Sequence, residues 1–466
     1  MKYDVIVAGG GTAGLFAAYR LASSGLSVAV VELKSAEKIG EKVCGDAVGE
    51  HHFIKVGLEP PRLGVDAVSL FKGVRVYSPN KKAYVTAWGK GYAIDRKAFG
   101  QRLLRLAVNA GAELLDSHRI LEPIVEGKWV KGIVAEKIGA GRFELYSKVV
   151  VEATGAAAAV RTKLPSEWWV SEKVPLEDFN IAYRVIAEVE EPQDTGLALI
   201  YLNPDVAPGG YWWWFPKGEH IVNTGLGVKP GPSAPNPRDQ FRKYILPLIE
   251  KAGGRILNEG AGLCPTRRTI SCMVWNGLVA VGDAAATANP IHGGGIGPSL
   301  LSSYYASQVI VEALDKGEAS MENLWRYHKA YHETYGIKQA GLDALRIYLQ
   351  SLSSDDLNFI LEKGIVSDEE LSEMGYKGEL LPSIISKALK AVKLLTKPSI
   401  LFDIKAAKGY LDKARKLFEE FPEKPEGFSE WENRNKALFR EIKERFWSHD
   451  IDGFQGSKPS PKLYIR

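Results

Sequence analysis

The sequence predicts a mixed α/β protein in three parts: a Rossmann-like dinucleotide-binding domain, an antiparallel β-sheet domain and a helical C-terminal region. Three observations predict it. A strand, a glycine turn, a helix and a second strand follow one another over residues 3–32. From about 165 to 265 prolines and tryptophans are frequent and helix signals scarce. From about 319 onward the apolar residues recur with a helical period. At 466 residues the chain is too long for one ordinary core. The expected division is 1–160 with 266–318 as a discontinuous first domain, 161–265 as the second, 319–450 as the third and 451–466 as a loose tail.

Taken in order, Val5-Ile6-Val7-Ala8 is a short apolar run of the buried-strand kind, and it enters Gly9-Gly10-Gly11-Thr12-Ala13-Gly14, a G-x-G-x-x-G turn. Leu15, Ala18, Leu21 and Ala22 share one stripe of the helix that follows, and Val28–Val31 makes the second strand, closed by Glu32. Gly9 permits the tight turn. Gly11 lets the backbone approach a pyrophosphate at the helix N-terminus, and Gly14 lets helix and strand pack closely. Glu32 stands where it can accept hydrogen bonds from ribose hydroxyls. Residues 34–43 read as a charged loop leading to Cys44-Gly45-Asp46 and a short helix through His51, Phe53 and Val56. Strands are expected at 71–77 and 83–88. Asp95 to Asn109 reads as a helix with Phe99, Leu103, Leu106 and Ala107 on one face, ended by Gly111.

Glu113 to Leu115 follows as a core strand. Residues 118–147 suggest a three-stranded meander, and 148–152 a buried strand ending at Ala153-Thr154-Gly155. In the middle region strands are expected near 180–189, 197–202, 211–216 and 220–228, with a helix over 237–251. Residues 277–281 read as another buried strand, closed by Gly282-Asp283. The glycines of 293–297 then open a long helix to about Leu314, with Pro298 near its start, where proline is tolerated. Near the end, Ile384, Ile385, Ala388, Leu389, Val392 and Leu395 form one apolar face, with Lys387, Lys390, Lys393 and Lys397 mostly off it. That pattern suits a core-facing helix with a solvated lysine side, or a basic amphipathic helix at a lipid surface.

Bulk composition narrows the function classes. Lysine plus arginine number 60 against 56 acidic residues, a net charge of +4 that is too small to argue for nucleic acid. The three cysteines, Cys44, Cys264 and Cys272, are too few and too scattered for a disulfide scaffold, and no Cys/His cluster suggests a metal. The first strand begins at Tyr3, which leaves no room for a signal peptide, and no run of roughly eighteen apolar residues suggests a membrane span. A cytoplasmic protein is expected, with the basic helix as its candidate for peripheral contact with a membrane.

The segment Val279-Ala280-Val281-Gly282-Asp283 says which dinucleotide is meant. An Asp closing a second buried strand, far along the chain, suits the ribityl chain of FAD. The bare amides of Asn289-Pro290-Ile291-His292-Gly293-Gly294-Gly295-Ile296-Gly297 suit the N1/C2 edge of its ring, and a helix dipole there favours the anionic reduced form. With the Ala-Thr-Gly strand end and Asp95-Arg96-x-x-Phe99, these features resemble the FAD-binding fold of the p-hydroxybenzoate hydroxylase class. Within that class the chain resembles the geranylgeranyl reductase family, most closely the archaeal enzymes that saturate the isoprenoid chains of ether lipids. Three segments carry the closer resemblance: Cys44-Gly45-Asp46; Pro208-Gly-Gly-Tyr211-Trp-Trp213-Trp-Phe215-Pro216, which fits P-x-x-Y-x-W-x-F-P; and Asn289-Pro290-x-His292-Gly-Gly-Gly.

The resemblance implies non-covalent FAD held by Gly9, Gly11, Ala13, Gly14, Glu32, Cys44, Gly45, Ala47, Arg96, Asp283, Gly295 and Ile296. It implies an isoprenoid lipid as substrate, and an electron donor left open between NADPH and a ferredoxin-type protein. Strand alternation puts Tyr211, Trp213 and Phe215 on one face and Trp212 and Trp214 on the other. The first three either fill a core or line a long apolar pocket beside the flavin. An isolated alkene has no carbonyl to accept charge, so its reduction calls for a proton donor as well as a hydride. Positive charge then develops at the tertiary carbon, where aromatic faces offer roughly 2 kcal/mol when desolvated. Cys44 and His292 are the candidate donors, against ordinary structural roles for each. Cys264 and Cys272 read as structural, and Thr266-Arg267-Arg268 as an anion site or a solvated strand edge. Two other functions fit the same fold. One is an FAD monooxygenase of an apolar aromatic. The other is a prenyl-group carrier without working flavin, against which Asp283 and the complete glycine set argue.

Overall fold

The computed structural model describes residues 2–137, 139–378, 382–394 and 398–447. Two eight-stranded sheets and a set of C-terminal helices make up the molecule. In the first sheet Lys2–Ala8 lies between Val28–Val31 and Gly141–Glu152, parallel to both. The sheet extends through Glu113–Leu115 on one side and Leu278–Ala280 on the other. Strands covered on both faces read as continuous apolar runs, and Val5 to Ala8, Val28 to Val31 and Val149 to Val151 are all buried. The helices Thr12–Ser23 and Ile296–Asp315 pack against each other beneath it.

The third strand of the expected meander and the buried strand after it are one element. Gly141–Glu152 pairs antiparallel with Trp129–Lys137 through its first half and parallel with Lys2–Ala8 through its second. Arg96–Asn109 is helical as expected, and Asp95 caps it by accepting from the Ala98 amide at 2.9 Å. Gly111 follows at φ +105°.

The second sheet runs, in order of pairing, Arg255–Pro265, Phe179–Glu188, Ile221–Val228, Tyr211–Pro216, Leu197–Tyr201, Ala67–Tyr77, Tyr84–Ile94 and Ala47–Gly49. It therefore draws three strands from residues 47–94, and the span 161–265 accounts for only part of it. Leu197–Tyr201 pairs parallel with Ala67–Tyr77, across more than a hundred residues of chain, which no local pattern signals. Arg255–Pro265, not anticipated, is glycine-bearing and mostly exposed, so it lacks the apolar alternation that marks a strand. The expected 237–251 helix is two, Pro237–Tyr244 and Leu246–Lys251, broken around Pro247; Phe241, Ile245 and Ile249 pack with Trp212 and Tyr183 under the sheet.

The last third is helical, and none of the helices among the described residues is long and apolar enough to cross a membrane. In Pro382–Leu394, Ile384 and Ala388 are buried with Ile400, Ile404 and Leu342, Leu389 is partly exposed, and Lys387 pairs with Glu370 at 2.8 Å. Its visible half is thus core-facing. The side chains of Lys390, Val392 and Lys393, together with Leu395, Lys397 and the tail 451–466, lie outside the described residues.

Candidate active site

The glycine turn is shaped by close approach. Gly9 adopts φ +110°, and a Cβ there would stand 2.5 Å from the Ala153 carbonyl oxygen; one at Gly14 would collide with the Gly9 oxygen. Gly11 instead is exposed and faces open space, at the start of a helix whose first amides have no side-chain cap. Ala13 is buried beneath that turn, and its carbonyl accepts from Ser303 of Ile296–Asp315 at 2.8 Å. This long helix also begins without a side-chain cap, at Gly295, and Ile296 is buried in its first turn. Two bare helix starts, each carrying partial positive charge, therefore lie close together.

Glu32, Arg96 and Asp283, the groups expected to meet the cofactor, have these partners within the protein. Glu32 accepts from the Gly10 amide at 2.6 Å and the Lys34 amide at 2.9 Å. Arg96 donates to Thr12 Oγ1 at 2.7 Å, while its Nε is buried with no partner. Asp283 pairs with Lys42 at 3.0 Å, a lysine that sequence reasoning passed over inside a charged loop. The Asp283 charge is the main influence on Lys42 and raises its pKa against the effect of burial. Asp283 also borders a cleft of about 400 Å³ with Arg161, Lys173 and Phe179. The glycine cradle, the orphaned Arg96 Nε and the bare helix starts fit FAD. Gly9, Gly11, Gly14, Glu32, Arg96, Asp283 and Gly295 are the residues that would hold it.

Facing this half stands the aromatic strand Tyr211–Pro216. Its alternation divides as expected. Trp212 stacks on Tyr201 with ring centres 3.8 Å apart and joins the core below the sheet. Tyr211, Trp213 and Phe215 succeed one another on the other face, each 6.1 Å from the next. Gly45 packs against them: a Cβ there would lie 3.1 Å from the Phe215 ring and 3.9 Å from Trp213 Nε1. Ala47 begins the strand Ala47–Gly49, paired with Ala93, and so carries the C-G-D loop into the second sheet.

One residue without any sequence signature locks these parts together. Asn223, fully buried, accepts from Trp213 Nε1 at 3.0 Å and donates to the Cys44 carbonyl at 2.9 Å and to Asp46 Oδ2 at 3.0 Å. Lys217 donates to the same Asp46 oxygen at 2.8 Å. Asp46 takes the left-handed conformation, φ +59°, and its Oδ1 is buried without a partner. Its amide lies 3.3 Å from Cys44 Sγ. Burial, and then the Asp46 charge, push the Cys44 thiol up, against Arg96 and Lys42.

At the Tyr211 end, the phenol donates to the His292 carbonyl at 2.6 Å. The His292 ring accepts from the Gly294 amide at 3.1 Å. Cys264, read from sequence as merely structural, donates to the Gly293 carbonyl at 3.4 Å. Burial and the charge of Asp283 raise its pKa. It therefore borders the site. Cys272 is buried with its thiol on the Val274 carbonyl. Thr266-Arg267-Arg268 is neither an anion site nor a solvated edge. Arg267 pairs with Glu172 at 2.9 Å, and Arg268 with Asp343 at 3.1 Å, both arginines buried beneath the C-terminal helices. No group of acids, histidines and cysteines suited to a metal ion occurs among the described residues.

With this geometry in place, likeness to known proteins becomes specific. The chain is 38% identical over 436 residues to a digeranylgeranylglycerophospholipid reductase of Sulfolobus acidocaldarius, covering 92% of this chain and 96% of that one. The chain belongs to the geranylgeranyl reductase family. As a geranylgeranyl reductase family member it is also 31% identical over 390 residues to the digeranylgeranylglycerophospholipid reductase of Methanothrix thermoacetophila, covering 82% of this chain and 95% of that one. Residues 178–264 match the geranylgeranyl reductase catalytic domain, and residues 4–169 match glucose inhibited division protein A. The catalytic-domain match takes in Tyr211, Trp213, Phe215, Asn223 and Cys264. Among solved structures, a geranylgeranyl bacteriochlorophyll reductase-like protein of Thermoplasma acidophilum superposes with a TM-score of 0.72 at 25% identity, covering 87% of this chain and 99% of that one. A myxobacterial chondrochloren halogenase superposes with a TM-score of 0.60 at 15% identity, covering 86% and 99%, a likeness of fold alone.

Proposed function

We propose that this protein is an FAD-dependent reductase that saturates the C=C bonds of geranylgeranyl chains on a glycerol ether phospholipid. The observation that carries the reading is the joint wall made by Cys44-Gly45-Asp46 and Tyr211–Pro216, tied by Asn223 and set against the glycine cradle. When bound and reduced, FAD supplies a hydride. The chain's own residues do the rest. Trp213 and Phe215 exclude water from an apolar chain and turn π-faces toward the carbon that becomes electron-poor. Cys44 Sγ holds the proton for the other alkene carbon. Its raised pKa keeps it a thiol at neutral pH, and the positive charges of Arg96 and Lys42 favour the thiolate that remains after transfer. Solvent then returns the proton. His292 is assigned a positioning role through the carbonyl that receives Tyr211.

The cofactor is held non-covalently in this reading, and the reductant, NADPH or a ferredoxin-type protein, docks transiently. The test is turnover without oxygen. Purified holoenzyme, reduced with dithionite under nitrogen and given geranylgeranyl ether phospholipid, should yield product carrying two added hydrogens per bond by mass spectrometry. Acid precipitation should release free FAD. Product formed only with oxygen consumption would point to a monooxygenase, and a colourless protein to a prenyl carrier.

A further inference from the structure

Next to the carbonyl that holds Tyr211 lies a set of basic side chains used neither by the cofactor cradle nor by the proton transfer. His51 and His52 open the short helix His51–Lys55, their ring centres 4.0 Å apart. His52 presses on Gly297 in the first turn of Ile296–Asp315, where any Cβ would collide with its ring. Lys55 reaches the Thr334 carbonyl at 3.4 Å, and the Thr334 hydroxyl bonds Tyr305 of that same long helix at 2.8 Å. Lys338, four residues on, reaches the Gly375 carbonyl. His292 completes the group.

These groups sense one another. His51 is influenced by Lys338 and Lys55, and His52 by His51, His292, Lys338 and Lys55. Burial followed by these like charges pushes His52 down to about 3 and Lys338 down to about 8. Among the described residues no carboxylate forms an ion pair with His51, His52, Lys55 or His292. Yet His51, Lys55 and His292 are exposed, so a ligand can reach them. Basic groups gathered in a partly desolvated place are relieved by an anion with several acceptor oxygens. A prenyl chain brings one on its polar end, and that end cannot follow the chain along an aromatic wall.

We propose that His51, Lys55 and His292 bind the phosphate of the isoprenoid substrate, so that the prenyl chain runs from Tyr211 past Trp213 to Phe215 and Cys44. This rests on the function proposed above. The ligand chemistry is a phosphate ester, whether the phosphodiester of an ether phospholipid or the diphosphate of a free prenyl alcohol. At ~3.3 Å per residue the wall from Tyr211 to Phe215 is about 13 Å long, which sets how far from the phosphate a double bond must lie to meet Cys44.

The test compares kcat/KM of the holoenzyme for geranylgeranyl ether phospholipid, geranylgeranyl diphosphate and uncharged geranylgeraniol. The wild type should prefer both phosphorylated substrates. Lys55→Gln and His51→Gln should each cut that preference, taken as a ratio to geranylgeraniol, by about tenfold for Lys55 and less for His51. Lys424→Gln, on a remote exposed turn, should leave the ratio unchanged. Loss of preference for the phospholipid alone would assign the site to its phosphodiester, and loss for both would assign it to phosphate esters in general. An equal fall for all three substrates, or a shifted flavin potential with the ratio intact, would overturn the proposal and give the cluster to the fold or the cofactor. Calorimetric binding of geranylgeranyl diphosphate against geranylgeraniol decides independently of turnover. Tighter binding of the diphosphate that Lys55→Gln abolishes supports the site, and equal binding overturns it. A wild type that binds diphosphate tightly but reduces nothing contradicts the proposed function while leaving the phosphate site standing.

Discussion

Cys44 and Asn223 carry the proposed chemistry at the scale of single residues, and they differ in how they announce themselves. Cys44 sits in a three-residue motif, so the sequence alone singles it out. Asn223 carries no motif. It matters because a strand more than 170 residues away places its amide between Trp213, Cys44 and Asp46. Lys217, which donates to the same Asp46 oxygen, looks like any loop lysine, and Cys264 like any structural cysteine. Replacing Cys44 with Ser keeps the shape and removes an acid of suitable strength. We expect single-turnover reduction from reduced flavin to slow by about 10²-fold or more, with lipid binding retained; an unchanged rate would remove Cys44 from the mechanism. Asn223→Leu would strand the Trp213 indole and the Cys44 carbonyl, each at a cost of about 1–3 kcal/mol, and leave the Asp46 carboxylate with Lys217 alone. Thermal unfolding should shift downward, and the single-turnover rate should fall more than the lipid KM rises. Asn223→Gln, which keeps the donor and acceptor, should recover part of the rate.

Among the elements, the glycine turn with its two flanking strands is the part most legible in the chain, since its spacing is fixed by backbone contact. Gly14→Ala would drive a methyl into the Gly9 carbonyl oxygen. We expect purified Gly14→Ala protein to lose most of its bound flavin, read from visible absorbance per protein, and Gly11→Ala, whose methyl meets no protein atom within 4 Å but enters the space a pyrophosphate would take, to lose flavin while keeping its unfolding temperature. The aromatic strand was equally legible, because alternation fixes which rings share a face. Two elements escaped. Gly141–Glu152 looked like two strands because its halves have different partners and therefore different burial patterns. Arg255–Pro265 gives no strand signal because an exposed edge strand need not alternate. Strand order in the second sheet, where residues 47–94 join 179–265, depends on contacts that no local pattern encodes.

At the scale of the whole molecule, the C-terminal helices are fastened to the rest by buried charge. Asp178 meets Arg346 at 3.0 Å and Lys443 at 2.9 Å, and Asp343 meets Arg268 and Arg346. Burial works against ionising Asp178, but the Lys443, Arg346 and Arg267 charges prevail and hold its carboxyl far below the usual range. Glu172 is lowered in the same way, by Arg267 against burial. Burial also pushes His328 down to about 3 and His332 well below its ordinary value. In every case the folded pKa lies below the unfolded one, so the unfolded chain takes up more protons as pH falls, and stability rises with pH. The histidine penalty sets in below about pH 6.5, and the carboxylate contribution is lost below about pH 4. Calorimetry should therefore show the unfolding temperature falling from pH 7 to pH 4, more steeply at the lower end; a flat profile would contradict the network. From the sequence, Arg267 and Arg268 gave no hint of this, because their acidic partners lie 75 to 95 residues away.

The central claim, that reduced cofactor and lipid meet in one site, is tested most directly by a stopped-flow single turnover. Holoenzyme bleached with a stoichiometric reductant under nitrogen is mixed with geranylgeranyl ether phospholipid while flavin absorbance is followed and samples are quenched for mass spectrometry. We predict that the yellow colour returns with no oxygen present, at the rate at which lipid gains two hydrogens, with one double bond saturated per flavin. Colour that returns only on admitting oxygen, with the lipid unsaturated as before, would contradict the account.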